Sequence, residues 1–141
     1  MRQEIVQIAL VVKNYDEAIR FYTEKLGFQL VEDTQLSETK RWVRIRPAGS
    51  SGFCLLLAQA NSTAQKQSTG NQTGGRVFLF LHTDNFDRDF KNYTTNGVEV
   101  VSGPREEEYG KVAVIKDLYG NLIDLIEPKN HVSLDEKSRL V

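Results

Sequence analysis

"VVKNYDEAIRFYTEKLGF" (11–28) decides the fold, because it runs from an apolar stretch through a helix cap to a glycine. Asn14 is a good N-cap, Glu17 stands where a capping box places its acid, and Asp16 adds negative charge to the first turn. A helix starts there. Tyr15, Ala18, Ile19, Tyr22 and Leu26 recur at three- and four-residue spacing, which makes one apolar stripe, and Gly27 suits the left-handed residue that ends a helix. Upstream, "EIVQIALVV" (4–12) is too short for a second helix and rich in Val and Ile, so it reads as a buried strand. Downstream, "FQLVEDTQ" (28–35), "RWVRIRP" (41–47) and "GFCLLLAQ" (52–59) read as three more strands between polar or glycine-containing turns. The unit is βαβββ.

The same order returns. "RVFLFLHTD" (76–84) reads as a strand, "NFDRDFKNYTTNG" (85–97) as a capped helix, and "VEVVSG" (98–103), "KVAVIKD" (111–117) and "NLIDLIEP" (121–128) as strands. Asn14, Tyr15 and Asp16 reappear as Asn85, Phe86 and Asp87, Ile19 as Phe90 and Tyr22 as Tyr93, all 71 positions further on. Chance rarely keeps such a register, so the chain is a doubled module: one at 4–60, a second at 76–128. Between them, "NSTAQKQSTGNQTGG" (61–75) is polar and too long for a plain turn, which predicts a mobile linker or a lid. A charged tail follows at 129–141.

A chain of 141 residues, 40% hydrophobic and 26% charged, is sized for one domain with one sizeable core. The formal net charge of −1, with no dense basic stretch, argues against a nucleic-acid partner. There is no apolar run of about 18 residues and no basic segment leading an apolar one, so neither a membrane span nor a signal peptide is expected and the protein reads as cytoplasmic. Cys54 is the only cysteine. Inside an apolar run it reads as a buried, inert thiol.

The sequence resembles the vicinal oxygen chelate superfamily, which holds glyoxalase I, extradiol dioxygenases, fosfomycin-resistance proteins and bleomycin-resistance proteins. "IALVVKNYDEAIRFYTEKLGF" (8–28) and "YGKVAVIKDLYGNLIDLIEP" (109–128) carry the resemblance, the second through its strand, Asp-x-x-Gly-Asn turn and final strand. It implies an α+β fold of two βαβββ modules forming a cupped mixed sheet with the helices outside. It also implies a homodimer whose subunits often complete each other's cups, and a divalent metal where the first and fourth strands of a module meet.

Site residues follow from strand alternation and that resemblance together. Gln7 falls where the family places its first ligand, His or sometimes Gln, and Asp124 where it places a carboxylate, typically Glu. Their counterparts in the other module are Phe78 and Leu56, which ligate nothing. Two donors, Gln7 and Asp124, fall short of the three protein ligands of catalytic zinc or the two His and one carboxylate of non-haem iron. His82 shares the Phe78 face, but four extended residues span roughly 13 Å, and its plainer reading is a rim histidine. Trp42, Arg44 and Arg46 alternate with Val43 and Ile45, so they point into the cup, joined by Arg76 and Phe78 from the second module. Arginine offers a planar fork for carboxylate or phosphate and aromatics offer stacking area, which together suit a small organic anion with a planar part. Pairing of Arg44 and Arg46 with Asp124, Glu4 or the acidic run Glu106, Glu107 and Glu108 is the competing expectation. Tyr109 stands where it would close the mouth of the cup, as does Tyr119 unless it merely packs its turn.

Three functional readings follow. The first is a binding protein of the bleomycin-resistance kind, holding a small anionic molecule with no cofactor. The second is a lyase or isomerase of the glyoxalase kind, using a divalent metal (Zn, Ni, Mn or Fe) on Gln7, Asp124 and a further donor. The third is a structural or regulatory dimer with a vestigial cup.

Overall fold

Each sequence unit folds as one four-stranded sheet with a helix across it, and the computed structural model describes residues 1–129 of the chain. The tail from position 130, His131 included, lies outside the described residues. The first unit comprises β1 (Gln7–Val12), α1 (Tyr15–Arg20), β2 (Gln29–Gln35), β3 (Arg41–Arg46) and β4 (Cys54–Gln59). After α2 (Thr63–Ser68) the second comprises β5 (Val77–His82), α3 (Phe86–Thr95), β6 (Val100–Glu107), β7 (Gly110–Lys116) and β8 (Leu122–Pro128). The strand orders are β1-β4-β3-β2 and β5-β8-β7-β6, so the doubled module is an architectural fact. In each sheet the first pair is parallel and the other two are antiparallel, giving a mixed sheet and an α+β fold.

Alternation along the strands sorts the side chains. Leu10, Val12, Val43, Ile45, Leu55 and Leu57 from the first sheet join Ala113, Ile115, Ile123 and Leu125 from the second in one buried cluster. Tyr15, Ala18 and Tyr22 of the first helix and Phe86 and Tyr93 of the second complete it, so a single core runs through both modules. The opposite face of each sheet is left for other work.

Asn14 caps α1 as its sequence predicts, its side chain accepting from the Glu17 amide at 3.0 Å. The reciprocal arm differs. The Tyr119 hydroxyl donates to the Glu17 carboxylate at 2.8 Å and accepts from the Asn14 amide at 3.2 Å, so a residue 102 positions away completes the cap. Beyond Arg20 the helix widens into π turns over Phe21–Lys25, and it closes where the Phe28 amide meets the Tyr22 carbonyl at 2.8 Å, with Gly27 at φ +75°.

The polar connection at 61–75 carries more structure than its composition predicts. Ser62 caps α2, and the Gln72 carboxamide clips the open edge of β1, accepting from the Val11 amide at 2.8 Å and donating to the Ala9 carbonyl at 2.6 Å. Gly70 packs so closely on the turn of the second module that an added Cβ would lie 1.8 Å from the Tyr119 carbonyl oxygen. Polar side chains here pair with backbone groups, which a composition argument does not register. No helix among the described residues is long and apolar enough to cross a membrane.

The modules are joined at Asp117, which is 5% exposed and sits directly after β7. One carboxylate oxygen accepts from the amides of Tyr119, Gly120 and Asn121 at 2.9, 3.0 and 3.0 Å, forming the turn. The other takes the Asn121 side chain at 2.9 Å and, across the module boundary, the fully buried Tyr22 hydroxyl at 2.7 Å. Burial, and then Asp117, raise the Tyr22 pKa well above the ordinary tyrosine value, so this phenol remains a donor. Tyr22→Phe should therefore lower unfolding stability by about 2 kcal/mol, the worth of a hydrogen bond to a charged group. A urea midpoint equal to that of the wild type would contradict this.

Candidate functional site

On the face of the first sheet turned away from the core, β1, β3 and β4 bring Gln7, Trp42, Arg44 and Arg46 together. Arg44 is the centre of the group. Its Nε donates to the Gln7 amide oxygen at 3.0 Å, its Nη1 lies 3.4 Å from Glu32 Oε1 and its Nη2 3.4 Å from the Cys54 sulfur. Cys54 is 1% exposed and stands opposite Gln7 in the β1–β4 register, a buried free thiol as its apolar surroundings predict. The acid that pairs with Arg44 is Glu32 of β2, directly opposite in the antiparallel register, rather than Asp124, Glu4 or the acidic run. Arg46 differs. Its Nε is buried with no acceptor among the described residues.

The second sheet carries a separate group. Phe80 stands opposite Asp124 in the β5–β8 register, His82 is two residues along β5, and Val114 flanks Asp124 from β7. The sequence reading placed Phe78 here, and the structure corrects that. A bulge between Val77 and Leu79 inserts one extra residue, so Phe78 packs against the core beside Leu79 while the 67% exposed Phe80 takes the outward position. Arg105 was missed, because β6 runs on to Glu107 through a Gly-Pro pair that reads as a strand end. Its charge, with that of His82, partly offsets the burial that raises the Asp124 pKa above its ordinary value. Arg76 is exposed in the turn before β5, and Tyr109, 48% exposed, lies in the β6–β7 turn. Tyr119 is engaged in the α1 cap described above. Hydrogen bonds join the modules at Tyr22 with Asp117, Tyr119 with Glu17, and Lys25 with Asn96.

The sequence matches the family described as the Glyoxalase/Bleomycin resistance protein/Dioxygenase superfamily over residues 4–125. The chain belongs to this superfamily. A protein of Shewanella frigidimarina is 56% identical over 128 residues, which cover 90% of this chain and 95% of that one. Among solved structures, UcmS2 superposes with a TM-score of 0.79 at 25% identity, covering 90% of this chain and 99% of that one. TnmS3, an antibiotic binding protein from Streptomyces sp. CB03234, gives 0.74 at 28% identity, covering 91% of this chain and 98% of that one.

The divalent metal that superfamily resemblance implies fits these donors poorly. The Gln7 oxygen already accepts from Arg44, so a cation bound there would sit beside a fixed guanidinium charge. Opposite Asp124 the strand offers Phe80, which has no donor atom. Among the described residues no three His, Cys, Asp or Glu side chains gather as a ligand set.

Asp124 offers a test with a defined sign. A carboxyl whose folded pKa lies above its unfolded one favours the fold while protonated, and that contribution is lost as pH rises through the folded value. Asp124→Asn should therefore be more stable than the wild type at pH 7 and match it below about pH 3, where the aspartate is protonated in both states. Urea unfolding of both proteins across that range checks it, and a variant less stable at neutral pH would show the carboxylate to be favourably paired.

Proposed function

We propose that this protein binds a small organic anion with a planar, apolar part, in the manner of a sequestering protein and without a metal. The buried Arg46 Nε carries the reading, because a charged donor shielded from water with no acceptor costs free energy that an incoming carboxylate or phosphate oxygen would recover. Arg44 lies two residues along the same face, only partly neutralised by Glu32 at 3.4 Å, and Trp42 supplies the stacking surface. A solved relative described as an antibiotic binding protein agrees with ligand holding as the task of this fold. Ile5 and Val6, exposed just ahead of β1, offer apolar surface that supports completion of the cup by a second subunit.

A thermal-shift panel of aryl carboxylates and aryl phosphates should yield a stabilising compound, and calorimetry on that compound then reads the variants. Arg46→Ala should weaken binding about tenfold or more, with EDTA making no difference. If EDTA abolishes binding and Asp124→Asn abolishes it as well, the site is a metal centre and this reading falls. Light scattering at micromolar concentration should report a dimer; a monomer would leave each sheet to bind alone.

A further inference from the structure

The doubled chain closes the boundary between its modules on one side and leaves it open on the other. On the closed side, the turn after β7 sends Asp117 to the Tyr22 hydroxyl at 2.7 Å, and the Gln72 carboxamide covers the β1 edge at Ala9 and Val11. The counterparts on the other side, 71 positions on, are Tyr93 for Tyr22 and Phe80 for Ala9. The matching turn after β3 begins at Pro47 and reads "PAGSSGF" (47–53), which has no carboxylate. A cleft of about 1140 Å³ lies here, lined by Pro47, Gly49, Ser50, Phe80 and Tyr93 with the end of the first helix at Phe28.

Tyr93 is 5% exposed, yet its hydroxyl makes no hydrogen bond among the described residues and is not fully enclosed. A nine-tenths buried donor on an open cleft, with no acceptor among the described residues, is a binding feature, because a ligand atom can supply the missing partner. Burial, followed by the charge of Asp89, raises its pKa, so the phenol stays protonated and able to donate. The cations at the rim are already engaged: Arg88 by Asp84 at 3.0 Å and Asp89 at 2.9 Å, and the Lys25 ammonium by the Asn96 carbonyl at 2.7 Å. His82 lines the cleft as well, but so do Glu24, Asp84 and Asp89, and this acidic lining disfavours an anion.

We infer that this cleft is a second small-molecule site, separate from the arginine face, and that it takes a neutral carboxamide on a planar apolar group. The amide oxygen accepts from Tyr93 as Asp117 accepts from Tyr22. The amide nitrogen meets the β5 edge at Phe80 as the Gln72 nitrogen meets Ala9, and the planar group lies against Phe28 and Phe80.

Benzamide is the probe, titrated into the full chain and followed by amide ¹H–¹⁵N shifts. Saturable shifts at Gly49, Ser50 and Asn92 are expected, with benzoate giving none there. Tyr93→Phe should weaken benzamide about three- to tenfold, the loss of one neutral hydrogen bond, and Ser50→Trp, which fills the cleft from an exposed turn, should abolish it. Tyr93→Phe should also leave the urea midpoint unchanged, in contrast to Tyr22→Phe, since its hydroxyl bonds nothing among the described residues. The proposal is overturned by shifts confined to the strand of Trp42 and Arg46, by unchanged binding in either variant, or by a Tyr93→Phe midpoint that falls as far as that of Tyr22→Phe. None of these results bears on whether Arg46 holds an anion.

Discussion

The buried carboxylate of Asp117 holds this molecule together. A charge removed from water needs its lone pairs filled, and five donors fill them: three amides of its own turn, the Asn121 side chain, and a tyrosine from the other module. Taking away one of these donors leaves a buried carboxylate lone pair unfilled, which costs more than an exposed ion pair returns. The turn, the helix above it and the joint between the modules therefore stand or fall together. Tyr119, fixed by that turn, then reaches the start of α1 and completes its cap.

Duplication with unequal turns explains much of the rest. Both modules carry a tyrosine at the same helical position, but only one faces an acid, because the turn after β3 is two residues longer than the turn after β7 and supplies none. One side of the boundary is polar and filled; the other is a cleft. The outward faces diverge as well, toward arginine and tryptophan on the first sheet and toward Phe80, His82 and Asp124 on the second.

Periodicity and capping made the architecture legible, since Asn14 and Asn85 mark both helices and the 71-residue register exposes the repeat. The arginine face was legible for the same reason: alternation in β3 is unbroken. What alternation cannot show is where it fails. The bulge in β5 moves Phe78 to the core and Phe80 outward, and nothing in "RVFLFLH" (76–82) distinguishes the two phenylalanines. Glu32 escaped notice because cross-strand partners depend on register, which the loop between β2 and β3 sets. Gln72 escaped because a carboxamide in a polar run looks like solvent-exposed filler until a strand edge is beside it.

That clip on β1 bears on how such a repeat persists. A strand edge with bare amides and carbonyls is an invitation to another chain, and β1 stands at the edge of its sheet. In the doubled chain a single side chain from the connecting segment occupies part of it, and that segment also rests on the second module, through the Gln72 amide with Asn121 and Gly70 against Tyr119. The connection thus does more than hold two copies in line: it shields an edge of the first copy with a segment that the second copy helps to fix.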